Sequence, residues 1–181
     1  MPAALDFPAP MEASRSDIVI VHPNRYSAEA KATKAAVILL LLASAGLTAI
    51  ITFGGWSKLE GAQIWAIFYI VVYLIFAYFV AQWNRGVLPV AAGMATLFTV
   101  IAIVAAPAWF DRDKTGFASP ALPPGILGLL TAILVPVQIL LIAFAMRAFQ
   151  QKWNIEVEVT REEAERRYGR GSGTAPKPAR A

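Results

Sequence analysis

Residues 35–57 read AAVILLLLASAGLTAIITFGGWS, a run with no charged side chain between Lys34 and Lys58. An α-helix rises about 1.5 Å per residue and needs about 20 apolar residues to cross the hydrocarbon core of a bilayer. The run is therefore long enough for one crossing and too short for two. Because a helix satisfies its backbone hydrogen bonds internally, it is also a conformation that the bilayer permits. The sequence predicts a transmembrane helix over about residues 35–55.

Three more charge-free runs follow, at residues 61–84, 86–110 and 115–146. They predict helices near 62–83, 87–109 and 123–149. The last run is too long for a straight crossing, and its first part contains Pro120, Pro123 and Pro124. Proline breaks a helix interior but suits a first turn, so we expect a loop before a helix that begins near Pro123. The predicted fold class is an all-α integral membrane protein with four transmembrane helices in a bundle.

Composition agrees with a membrane protein and excludes several kinds of site. The 181 residues are 57% hydrophobic and 15% charged, against roughly 45–50% and about 25% in soluble domains. The chain has no cysteine and only one histidine, His22, which excludes cysteine-based metal sites and a bis-histidine haem within one chain. We therefore expect no metal and no cofactor. The net charge is +4, but the basic residues flank apolar runs, so we expect contact with lipid headgroups and no nucleic acid.

The distribution of basic residues predicts an orientation. With four crossings, one side of the membrane receives both termini and the turn between the second and third helices. That side holds most of the basic residues near the helices: Arg25, Lys31, Lys34, Arg85, Arg147, Lys152, Arg161, Arg166, Arg167 and Arg170. Because positive charge is enriched in cytoplasmic loops, both termini are expected in the cytoplasm, with the protein in a plasma or bacterial inner membrane.

An alternative for the first apolar run is a cleaved signal peptide. Lys31 and Lys34, the run Ala36–Leu42 and Ala43-Ser44-Ala45 resemble its three regions. A polar stretch of about 30 residues precedes this run, however, and apolar sequence continues to Phe53. We therefore prefer an uncleaved first span.

The terminal segments, residues 1–34 and 150–181, flank the transmembrane domain at 35–149. Residues 1–16 and the tail from Gly171 are expected to be disordered. Ile18–Val21 and Ile155–Val159 have the β-branched content or the alternation of strands, and we expect them to pair as a small cytoplasmic ribbon against the membrane face. Thr160 and Glu163 have capping-box spacing, which predicts a short helix that ends near Gly169.

Two faces carry small or polar residues at helical spacing. Ser44, Thr48 and Thr52 share one face of the first helix, and Gly128, Ala132 and Pro136 share one face of the fourth. We interpret both as helix-packing faces, with pore lining as the alternative. Pro136 should also free the carbonyl near Ala132, and Gln138 lies two residues beyond it. One interpretation is that this carbonyl and the Gln138 side chain together hold a ligand in the middle of the membrane. We prefer the interpretation that Gln138 forms a hydrogen bond with a neighbouring helix.

The second predicted helix is rich in aromatic residues. Tyr69, Tyr73 and Phe76 fall on one side of it by helical spacing. That side is able to stack on a quinone, a carotenoid or a lipid. Packing against neighbouring helices is the interpretation that we prefer.

The charge-free runs also limit the function. Proton relays and carboxylate ion sites need ionisable residues inside the membrane, and these runs contain none. No catalytic residue is predicted, and we do not expect an enzyme. The preferred function is an accessory or scaffold subunit of a membrane assembly, whose partners are the lipid bilayer and other membrane subunits or further copies of itself. The alternatives are a small channel or carrier formed by oligomerisation and, third, a lipid-modifying membrane enzyme.

Overall fold

The computed structural model describes residues 17–59, 61–111 and 121–174. The chain divides into two compact units. The first consists of the terminal segments up to Tyr26 and from Asn154, and the second extends from Ser27 to Trp153. The disorder expected for residues 1–16 falls outside the described residues.

The Ser27–Trp153 unit contains four long helices. They are α1 (Ala28–Gly54), α2 (Ala62–Ala81), α3 (Val87–Asp111) and α4 (Pro124–Gln150). By length and composition, each is able to cross a membrane. The expected class of four apolar helices is confirmed, and it is compatible with a multi-pass membrane protein.

The helix ends follow local sequence signals. α1 begins at Ala28, several residues before the apolar run, because the Ser27 side chain accepts a hydrogen bond of 3.1 Å from the backbone N–H of Ala30. The first turns of α1 therefore lie in polar sequence, and the apolar pattern alone does not predict that they are helical. α4 begins directly after Pro123, with Pro124 in its first turn. α2 begins after Gly61, whose φ of 95° is readily available only to glycine.

Contacts among the four helices are unequal. α3 packs along α4, and α1 packs against both α2 and α4, whereas α2 and α3 touch much less, and the remaining two pairs hardly touch. Around the bundle the order is therefore α2, α1, α4 and α3, with the wall between α2 and α3 the weakest. α3 turns small side chains inward, at Ala91, Ala95, Ala102 and Ala106. Small residues let backbones approach closely, which fits the close pairing of α3 with α4.

Basic side chains donate hydrogen bonds to the C-terminal carbonyls of two helices at one end of this unit. The Lys34 ammonium donates a hydrogen bond of 2.7 Å to the carbonyl of Ala81, at the end of α2. The Arg85 Nε–H donates at 2.7 Å to the carbonyl of Phe149, near the end of α4. The last carbonyls of a helix lack internal partners and carry partial negative charge, so these cations stabilise both ends.

The tryptophans are divided between the surface and the interior. All five tryptophans lie near the ends of the four long helices, where an aromatic belt is expected at the membrane interface. Trp56 and Trp65 are exposed, whereas Trp109 and Trp153 are buried. Trp153 packs edge-on against Trp83 with ring centroids 5.1 Å apart, and the Lys34 ammonium lies 4.0 Å from the centre of the Trp83 ring. These indoles therefore hold the bundle together as well as marking its ends.

The terminal unit contains the predicted ribbon. β1 (Ile18–Val21) pairs antiparallel with β2 (Val157–Thr160), with Val19 opposite Val159. β2 begins two residues later and ends one residue later than the predicted strand. α5 (Arg161–Tyr168) follows at once, capped by Thr160, whose hydroxyl accepts from the backbone N–H of Glu163 at 3.3 Å. The side chains of Val19, Val21 and Ala164 form its small core.

The start of the C-terminal tail is part of this unit. Thr174 and Ile20 exchange backbone hydrogen bonds of 2.8 and 2.9 Å, and Gly173 lies against Val19. A Cβ atom at Gly173 would lie 2.9 Å from a methyl carbon of Val19, and its φ of 99° also favours glycine. Ser172, Gly173 and Thr174, which composition alone assigned to a disordered tail, are thus hydrogen-bonded or packed.

Candidate functional site

The hydroxyl face of α1 lies inside the bundle. Ser44, Thr48 and Thr52 are all buried. Each hydroxyl donates to the carbonyl four residues earlier in the same helix, at 2.7, 2.7 and 2.6 Å respectively. The hydroxyl hydrogens are thus used by α1 itself, and only oxygen lone pairs remain for any other group.

The four α4 residues singled out in the sequence do not share one environment. Gly128 is buried against the ring of Phe110, where a Cβ atom would lie 2.8 Å from a ring carbon. Ala132 and Pro136 are exposed, and Gln138 is fully buried. The carbonyl of Ala132, which Pro136 leaves without its usual N–H donor, is therefore on the outward side of α4. The structure does not bring this carbonyl and the Gln138 side chain together in one site.

Gln138 instead bonds to α2. The Tyr73 hydroxyl donates to Gln138 Oε1 at 2.9 Å, and both side chains have 0% exposure. Among the residues that the structure describes, the Gln138 Nε2 atom has no hydrogen-bond partner. Rotating the Gln138 amide group by half a turn would exchange the positions of Nε2 and Oε1. The oxygen would then be the atom without a hydrogen-bond partner. This pair joins α2 and α4 across the centre of the bundle, which the sequence did not specify.

Aromatic rings surround the Tyr73–Gln138 pair. Tyr69 stacks on Phe98 of α3 with centroids 4.4 Å apart and planes 19° from parallel. Tyr73 meets Phe98 edge-on at 6.1 Å. Tyr69 and Tyr73 are buried and Phe76 is half-buried, so the aromatic side of α2 packs largely against the chain itself. Phe98 was not singled out in the sequence, although it lies three residues after Ala95, on the inward face of α3.

A cavity of about 170 Å³ lies between α2 and α3, and the stacked rings of Tyr69 and Phe98 form part of its wall. It is bordered by all four helices and by Leu59. Its walls are formed by Thr48, Ile51 and Thr52 of α1, Ala62, Trp65, Ala66 and Tyr69 of α2, Phe98, Ile101, Ala102, Ala105 and Trp109 of α3, and Thr131 and Leu134 of α4. The Thr131 hydroxyl, like those of Thr48 and Thr52, donates to a carbonyl of its own helix, that of Leu127 at 2.7 Å. The cavity surface is thus predominantly apolar.

A wider groove continues from this cavity toward the end of the helices. It has a volume of about 460 Å³ and shares Leu59, Ala62, Ile101, Ala105 and Trp109 with the cavity. Its remaining walls are Val100, Val104 and Ala108 of α3 and Lys58 from the turn between α1 and α2. An apolar path therefore ends beside one cationic side chain.

The described side chains form no metal-binding cluster, and the cavity walls are largely apolar. In residues 17–59, 61–111 and 121–174, no group of three or more His, Asp or Glu side chains is arranged to hold a metal ion. The cavity walls contain hydroxyls, one tyrosine and apolar groups, with no carboxylate or imidazole. Such walls are suited to bind an apolar molecule by packing.

Comparisons of the chain with protein-family models, with curated proteins and with solved structures found no match.

Proposed function

We propose that the protein is a non-catalytic accessory or scaffold subunit of a membrane assembly. It resides in a plasma or bacterial inner membrane with both termini in the cytoplasm. The orientation is supported by the excess of Lys and Arg in the terminal segments and by Arg85 in the turn between α2 and α3, since such residues are enriched on the cytoplasmic side.

The observation that carries this proposal is the peripheral position of α2. Only 22% of the residues in its most apolar stretch are buried, against 33–39% in the other three long helices. α2 packs mainly on α1, and its contact with α3 is slight. In a bilayer, helices associate by van der Waals packing and interhelical hydrogen bonds, so a helix with one close neighbour retains surface for another.

The free surface of α2 forms a continuous stripe. Ile67, Val71, Leu74 and Tyr78 follow one another at intervals of three or four residues, and all are exposed. We call this stripe the outer face of α2. It lies on the side of the helix opposite Tyr69 and Tyr73, so a partner helix is able to bind it without disturbing the interior.

The interior disfavours the channel alternative. A pore formed between copies of the chain needs polar side chains on the outside of each bundle. The hydroxyl stripe singled out in the sequence, Ser44, Thr48 and Thr52, is buried within one copy, and its hydrogens are bonded to α1. These contacts support a packing role for the stripe.

Photo-crosslinking in native membranes tests the proposal. A photoreactive amino acid replaces Val71 or Leu74 on the outer face of α2, and the matched control replaces Ile139 on the exposed side of α4. We expect the α2 positions to form discrete adducts with another membrane protein, or with a second copy, and Ile139 to form none or far fewer. If the α2 positions give only lipid adducts, or give the same products as Ile139, the subunit proposal is wrong.

A further inference from the structure

The cavity between α2 and α3 opens sideways, through the wall of the bundle. Two of its wall residues, Trp65 of α2 and Ile101 of α3, are 67% and 50% exposed. Both lie on helices that are long and apolar enough to cross a membrane. What surrounds such an opening in a bilayer is hydrocarbon, so acyl chains have direct access to it.

The cavity walls reject polar occupants. The hydroxyl hydrogens of Thr48, Thr52 and Thr131 are already donated to backbone carbonyls at 2.6–2.7 Å. A buried water needs about two to four polar partners, and these walls offer it little beyond the lone pairs of hydroxyl oxygens. A charged or strongly hydrogen-bonding ligand would lose its solvation without replacement.

Size limits the occupant further. A dry apolar cavity of about 150 Å³ is known to take a molecule as large as benzene. At about 170 Å³, this cavity has room for several methylene groups of a flexible chain. The gain on filling it is van der Waals contact, since the walls of an empty void have no partner atoms on one side.

Lys58 adds charge complementarity at the end of the path. It borders the groove that joins the cavity, in the turn between α1 and α2, where a membrane interface is expected. A phospholipid combines an apolar chain with an anionic phosphate, whose oxygens accept charge-assisted hydrogen bonds from an ammonium group. The arrangement of an apolar cavity, an apolar groove and a terminal cation matches that molecule from chain end to headgroup.

We infer that the cavity between α2 and α3 is a binding site for one acyl chain of a bilayer phospholipid, with the lipid phosphate beside Lys58. The chain enters between Trp65 and Ile101 and ends against the Tyr69–Phe98 stack. This site is separate from the outer face of α2, and it does not depend on the subunit role proposed above.

The experiment uses the full chain in vesicles containing a phosphatidylglycerol with a diazirine near the end of one acyl chain. After illumination, adducts are mapped along the protein by mass spectrometry. We expect adducts on buried wall residues such as Ala102 and Trp109, in addition to those on exposed residues. Ala66→Phe and Ala105→Phe, which fill the cavity from opposite walls, should each abolish the interior adducts and leave the exposed ones unchanged.

Ala132→Phe is the matched control, because Ala132 is exposed on α4 and should retain the interior adducts. Lys58→Gln should lower interior labelling up to about fivefold, the contribution of one solvent-exposed ion pair, while Lys31→Gln at the start of α1 should not. Absence of interior adducts in the unaltered chain, or their persistence in both filling variants, would overturn the acyl-chain site. Equal labelling in the two lysine variants would overturn the phosphate contact.

Discussion

At the scale of single residues, Gln138 is the most informative position in the chain. An amide in the middle of an apolar helix demands a partner, because an unpaired polar group in hydrocarbon is costly. Its partner is the Tyr73 hydroxyl at 2.9 Å, which joins α2 to α4. The sequence indicated that Gln138 bonds a neighbouring helix. It did not indicate which one, because the choice depends on how the helices are arranged around the bundle.

A double-mutant cycle measures this bond. Tyr73→Phe removes the hydroxyl and leaves the Gln138 amide without a partner, and Gln138→Met removes the amide at similar volume. Interhelical hydrogen bonds in membranes contribute about 0.6 kcal/mol on average, with values up to about 1.7 kcal/mol. We expect each single variant to lower the free energy of unfolding in detergent, and the double variant to lose less than the sum of the two by about that amount. Strictly additive losses would show that the pair is not coupled.

At the scale of elements, the four long helices were largely predictable and the contacts between them were not. Runs without charge identify α2, α3 and α4 to within two residues at each end, because the hydrocarbon core excludes charged side chains. The start of α1 was misplaced, because Ser27 begins the helix within polar sequence. The gap between α2 and α3 left no sequence signal, since both helices are apolar on every side and their separation depends on packing in three dimensions.

The ribbon between β1 and β2 allows a direct test of strand register. A shift by one residue would turn each side chain to the opposite face. Val19 lies opposite Val159, whereas Val19 and Val157 are two residues out of register. Cα atoms more than about 7 Å apart cannot be joined by a disulfide without backbone movement, and diagonal neighbours lie about 7–8 Å apart.

The chain has no cysteine, so introduced pairs are unambiguous. On mild oxidation of the purified protein, Val19→Cys with Val159→Cys should form a disulfide in high yield. Val19→Cys with Val157→Cys should form little under the same conditions. The reverse order of yields would show that the register differs from the one described.

At the scale of the whole molecule, the interior and the surface of the bundle indicate different roles. Within the part of the bundle that the structure describes, the buried hydroxyls of Ser44, Thr48 and Thr52 bond to backbone carbonyls, and the Tyr73 hydroxyl bonds to Gln138. The surface offers the outer face of α2 and the opening between α2 and α3, both apolar. These two surfaces are the ones that the proposals above assign to a partner helix and to a lipid acyl chain.

The proposed subunit role and the acyl-chain site both require four crossings, and the proposed orientation places both termini in the cytoplasm. Site-directed labelling measures both properties most directly. Single cysteines replace the exposed residues Ser57, Asn84, Ala121 and Glu165, one in each connection and one in α5. With a membrane-impermeant maleimide on intact cells, Ser57→Cys and Ala121→Cys should be labelled. Asn84→Cys and Glu165→Cys should be labelled only after the membrane is permeabilised. Labelling of two successive connections from the same side, or of Glu165→Cys from outside, would contradict the proposed topology.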